Sequence, residues 1–152
     1  MNKLFKLISV FTIALSMLTI GCGPSKEEQY NSLKQETLKM SEEVYNLYRE
    51  PSNNHVKRSH DGIKRPYEEA RKILIKEFKE ANNKAIEKMP TIEKNIIKMK
   101  ELAKDNVNLS NDLNKTIKEI KDNTYNKIKT HKELLERNGK LPDDWKTIEP
   151  KF

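Results

Sequence analysis

The 152-residue chain is as rich in charged residues as in hydrophobic ones, 35% of each, with 30 Lys and Arg against 23 Asp and Glu and a formal net charge of +7. That charge content is well above the roughly 25% of an average globular domain, so a thick apolar core is excluded, and the close interleaving of both signs argues against a nucleic-acid-binding stripe. One Cys excludes an intramolecular disulfide, and only 4 Gly and 6 Pro in a Lys-, Glu- and Asn-rich chain point to long, solvated amphipathic helices.

The chain opens on a short basic stretch with Lys3 and Lys6, followed by an apolar run from Leu7 to Ile20 broken only by Ser9, Thr12, Ser16 and Thr19. A run of this length is short of the about 20 apolar residues of a membrane span and has the form of a cleavable secretory signal. It ends Leu18-Thr19-Ile20-Gly21-Cys22. This resembles the lipobox of bacterial lipoproteins, with Thr19 standing where that family most often carries Leu. The resemblance implies that residues 1–21 are removed and that Cys22 becomes the first residue of the mature chain. Cys22 would carry a diacylglyceryl thioether, with or without a further N-acyl chain. Two acyl chains suffice for stable anchoring, at about 0.8 kcal/mol per buried methylene. The implied location is the extracytoplasmic face of the cell membrane.

The mature part, residues 22–139, reads as one helical domain. Ser25-Lys-Glu-Glu28 has the form of a capping box, so the first helix is expected over about 25–49, directly behind the anchor, ending before Pro51. Its apolar line, Tyr30, Leu33, Thr37, Met40, Val44 and Leu47, has the 3-4 spacing of a heptad seam. Residues 51–65 read as a loop. If the first helix stands upright on the membrane, this loop lies about 35–40 Å above it. The second helix is expected over about 66–88, opened by Pro66 and ended by Pro90, with Tyr67, Ala70, Leu74, Phe78, Ala81, Ala85 and Met89 on one face. The third is expected over about 91–138, with Gly139 as its C-terminal cap. The weak helix formers between Asp105 and Asp112 offer a break there, with Ser110 capping the new start. The expected fold is therefore all-α: an elongated three-helix bundle with coiled-coil-like seams, four-helix if the third helix breaks, followed by a tail over 140–152.

Few residues suggest chemistry. There is no Gly-rich phosphate loop, no H-E-x-x-H, no G-x-S-x-G and no Cys beyond Cys22, so no enzyme is expected and no cofactor beyond the lipid. His55, His60 and Asp61 share the first loop but lack the matched third or fourth ligand of a zinc site; no metal is expected. Lys57, Arg58, Lys64 and Arg65 make the same loop basic, suited to an anionic partner. The tyrosines are expected to pack. Trp145 and Phe152 either dock the tail onto the bundle or present it for recognition. The expected role is a lipid-anchored interaction module of the cell envelope that binds a protein. The alternatives are a spacer that holds an anionic wall polymer through its basic surface, and a small-ligand receptor, which needs a cavity between helices. Added salt separates the first two, since only polymer binding collapses in it. Nothing in the sequence sets the oligomeric state or implies a nucleic-acid partner.

Overall fold

The computed structural model describes residues 23–60, 66–137, 141–147 and 151. The lipobox, Cys22 included, lies outside them, as do Asp61, Lys64, Arg65, Gly139 and Phe152. The described residues form four helices and no strand: α1 (Lys26–His60), α2 (Tyr67–Ala103), α3 (Val107–Asn123) and α4 (Tyr125–Arg137). They build three rods, each antiparallel to the one before it, the third being α3 and α4 in succession. The cross-contacts give the directions. Lys88 of α2 pairs with Glu43 of α1 while Arg58 pairs with Glu77, so α2 runs back along α1. Asp112 of α3 meets Tyr30 and Lys34 near the start of α1, and His131 of α4 stacks on Tyr48 further along, so the third rod runs parallel to α1. The fold is the all-α bundle expected from the spacing of apolar residues.

The capping box forms as its residues predict. Ser25 Oγ accepts from Glu28 N at 3.2 Å, and Glu28 Oε2 accepts from Ser25 N at 2.7 Å, which satisfies two of the donors a helix start leaves open. From there α1 buries Tyr30, Thr37, Ser41, Val44, Tyr48 and Pro51, a near-heptad seam.

Both prolines expected to end helices lie inside them. α1 continues through Pro51 to His60, and the residues expected to form a loop over 51–60 are helical. α2 continues through Pro90 to Ala103 as one helix of 37 residues. A proline inside a helix loses one hydrogen bond and crowds the carbonyl four residues back; packing outweighs this here. Around Pro90 the buried stripe runs unbroken through Ala85, Met89, Ile92, Ile96 and Met99, while Pro90 itself faces solvent, where water can reach the released carbonyl. At Pro51 the ring is buried in the seam, and the turns beyond it are tied to α2 by a two-pronged Arg58–Glu77 ion pair, both N···O distances 2.7 Å.

The segment expected as one third helix breaks twice. The first break, after Ala103, falls where weak helix formers begin, but Asn106 caps the new start rather than Ser110. Asn106 Oδ1 accepts from Asn108 N and Leu109 N at 3.0 and 3.1 Å, and the Ser110 hydroxyl donates back to Ala103 O at 2.9 Å. The second break is one residue wide, at buried Thr124, whose φ of −113° and ψ of −88° leave the helical region. Its hydroxyl donates to Ile120 O at 2.6 Å, and Ile128 N picks up Thr124 O at 2.9 Å, so α4 starts at once. Leu109, Leu113, Thr116 and Ile120 of α3 and Tyr125, Ile128 and Leu135 of α4 then complete the core.

Candidate functional site

Of the four basic residues expected to form one loop, Lys57 and Arg58 lie instead on the last turns of α1, because the helix does not stop at Pro51. Lys57 is exposed. Arg58 is committed to Glu77, whose carboxylate holds the guanidinium's pKa above its ordinary value. It is therefore not an open cation for an anionic partner. His55 is exposed on the same helix, and among the described residues no three His, Cys, Asp or Glu side chains converge as metal ligands.

The same end of the bundle has an apolar opening. Val56 of α1, Tyr67 of α2 and Leu134 of α4 are 51%, 64% and 46% exposed, three of the five large hydrophobic residues left open to solvent among the described residues. They surround a cleft of about 380 Å³ whose walls include Ala70, Leu74 and Phe78, with His55 and Arg71 supplying polarity. Tyr67 thus departs from the packing role expected of it. Tyr30, Tyr48 and Tyr125 take that role, with hydroxyls donated to Asp112, Asn82 and Glu93 at 2.7–2.8 Å. Burial, the largest effect on each, raises all three phenols well above their ordinary pKa, with the carboxylates adding to it at Tyr30 and Tyr125. A second, more polar cleft of about 550 Å³ lies at the opposite end of the bundle, between Pro24, Glu28 and Leu33 of the chain start and Lys98 and Leu102 of α2.

Phe78, which lines the apolar cleft, belongs to a three-ring stack with Tyr48 and His131. His131 of α4 lies 5.0 Å from both the Tyr48 and Phe78 ring centres. Its Nδ1 is 2.8 Å from Lys127 O, an acceptor, so Nδ1 carries the proton. Nε2 faces the Ser52 hydroxyl at 3.5 Å, and that hydroxyl donates along its own helix to Tyr48 O. Burial pushes the imidazole pKa below 6.5, partly offset by the Lys127 carbonyl. The unfolded chain then binds the proton first as pH falls. The stability His131 contributes is complete above 6.5 and is lost as pH drops through that value toward the folded-state pKa. Melting temperature should therefore fall between about pH 7.5 and about pH 5, and His131→Phe should flatten that slope. Asp112, held below its usual pKa of 3.8 chiefly by hydrogen bonding to Lys34, acts only in a more acidic window.

Residues 141–147 lie along the face of α2 that carries Lys79 and Asn82. Asp144 pairs with Lys79, and Lys146 O accepts from Asn82 Nδ2 at 2.8 Å. A turn closes from Trp145 N to Pro142 O, and Leu141 and Trp145 pack against the core. Of the two arrangements open to Trp145, the structure has it docked. Asn82 is the polar residue the apolar pattern hides: it is 1% exposed within the buried stripe of α2, and its other atom, Oδ1, accepts from Tyr48 OH at 2.8 Å. Its offset of one from Ala81 and three from Ala85 was the only available signal.

No known protein family, curated protein or solved structure matches this chain.

Proposed function

We propose that this protein is an extracytoplasmic lipoprotein, anchored through Cys22, that acts as a non-enzymatic interaction module of the cell envelope. The basic, then apolar leader and its Gly21-Cys22 end support the anchor. No helix among the described residues is long and apolar enough to cross a membrane. The observation that carries the interaction role is the exposed apolar cluster of Val56, Tyr67 and Leu134 around its cleft, at the end of α1 remote from Ser25. Apolar side chains grouped in this way mark contact surfaces, whereas single ones need no explanation. Since α1 reaches His60, an upright bundle would carry this surface about 50 Å from the anchor rather than 35–40 Å.

A second reading, a receptor for a small apolar ligand, is favoured by the cleft volume, which falls in the range of ligand sites. The wall-polymer reading loses part of its basis, because Arg58 is already paired.

Cys22→Ala should abolish incorporation of labelled palmitate and release the protein from membranes with its helicity intact. Undiminished labelling would remove the anchor.

A further inference from the structure

The end of the bundle that follows Cys22 is built from two places in the chain. Pro24, Glu28 and Leu33 border the second cleft together with Lys98 and Leu102 of α2. Asp112 of α3 accepts from Tyr30 OH at 2.8 Å and pairs with Lys34, so α3 begins beside the start of α1. The turn from Ala103 to Val107 therefore lies at the same end as Cys22. Val107 is 76% exposed, the most open of the large hydrophobic residues among the described residues. It is the first residue of α3, capped by Asn106, and side chains in a helix lean toward its N-terminus. Because α3 runs parallel to α1, Val107 leans out of the bundle on the side where Cys22 lies. Lys94, Lys98, Lys100 and Lys104 surround this turn, all exposed and none in an ion pair among the described residues. These four Lys face two acids, Glu101 and Asp105, which leaves an excess of two positive charges over residues 94–108. At the start of α1, Lys26 and Glu27 offset each other, and Glu28 is turned back onto Ser25 N.

A single exposed valine on a protein surface needs no explanation. This one stands at the anchored end of the bundle, among unpaired lysines, where a lipid on Cys22 would bring the bilayer. We infer that the α2–α3 turn is a membrane-contact surface: Val107 enters the headgroup layer of the anchoring bilayer, and Lys98, Lys100 and Lys104 meet its anionic phospholipid headgroups. Apolar insertion and lysine attraction to anionic lipid both act at such a surface, and the second falls off within a Debye length. Only Gly23 and Pro24 separate Cys22 from the capping box, so the lipid alone is a single point about which the bundle can tilt. The turn adds a second point beside it. Two points hold α1 upright and keep the cleft of Val56, Tyr67 and Leu134 about 50 Å from the bilayer. This inference rests on the lipid-anchor reading and deepens it.

The test uses the lipidated protein purified from membranes and reconstituted into vesicles of phosphatidylcholine and phosphatidylglycerol. One preparation carries a fluorophore on Asn108→Cys, beside an intact Val107, and another carries it on Lys57→Cys at the far end; both positions are exposed. Lipid blocks the Cys22 thiol, so each preparation takes one label. Nitroxide-bearing headgroups should quench the label at position 108 and leave the label at position 57 bright. Vesicles of phosphatidylcholine alone, or added salt, should weaken the quenching at 108, because both remove charge attraction. Val107→Asp should bring it down to the level of position 57, and so should Lys98→Glu, Lys100→Glu and Lys104→Glu together. Equal quenching at the two positions, or quenching at 108 unmoved by these substitutions, would overturn the proposal. The comparison of position 108 with position 57 decides even if the further substituted chains fail to fold. Failure of the anchor reads differently. Protein that does not float with the vesicles overturns the anchor reading and this contact with it, whereas protein that floats with position 108 unquenched overturns the contact alone.

Discussion

Phe78→Ala should destabilise the bundle by about 3–5 kcal/mol, the range for deleting a buried aromatic ring and leaving a cavity. Phe78 is 1% exposed and stands where all three rods meet. Its ring is 6.4 Å from Tyr48 of α1 and 5.0 Å from His131 of α4. Few other side chains are available to fill the space, since the neighbouring positions on α2 are Leu74, Ala81 and Asn82. A loss of this size is a large share of the about 5–15 kcal/mol that holds a typical domain together. Urea denaturation followed by circular dichroism should show the midpoint fall sharply with little change in slope. A loss below about 1 kcal/mol would show that the stack carries little of the stability.

Pro90→Ala should act in the opposite direction, stabilising the protein by about 2 kcal/mol. Proline in a helix interior costs about 3 kcal/mol through its missing N–H and its clash with the preceding turn. Part of that is offset because proline also restricts the unfolded chain, by about 0.4–1 kcal/mol. Pro90 is exposed and lies inside the continuous α2, so alanine restores the hydrogen bond without disturbing the buried stripe. The melting temperature should rise by several degrees. A fall would mean that the proline sets a bend in α2 on which the packing with α1 depends. Pro51 differs, since its ring is buried in the α1 seam and alanine there would also open a space.

These two substitutions mark what local sequence could and could not convey. The all-α class, the three-rod count, the Ser25 cap and the Tyr30, Thr37 and Val44 positions of the α1 seam were legible, because each depends on residues within a turn or two of one another, whereas Ser41 and Tyr48 are buried where Met40 and Leu47 were expected. The ends of the helices were not. Pro51 and Pro90 are strong local stop signals, yet both are overridden by partners remote in sequence, such as Glu77 for Arg58. The break near 105 was signalled by a run of poor helix formers, but which of them would cap it was not, since Asn106 and Ser110 are both competent. The kink at Thr124 gave no signal beyond the weak formers around it.

The candidate site was less legible than the fold. Basic residues close in sequence suggested one cationic loop, but α1 carries Lys57 and Arg58 on its last turns and Arg58 is paired with Glu77. Asn82 and His131 were not singled out because polar residues at apolar helix positions are ordinarily solvated. Their roles exist only where Tyr48, Phe78 and Lys146 converge on them.

By itself the sequence determined the helical class, the apolar seams and the form of the leader ending at Cys22, because these follow from periodicity and from neighbours along the chain. Tertiary structure alone decided that the helices pass through their prolines, that Trp145 lies docked beside Asn82, and that Val56, Tyr67 and Leu134 gather around one cleft. The physical reason is the same in each case. Burial of a continuous stripe against another rod can exceed the few kcal/mol of a local conformational preference, and that burial depends on residues dozens of positions away.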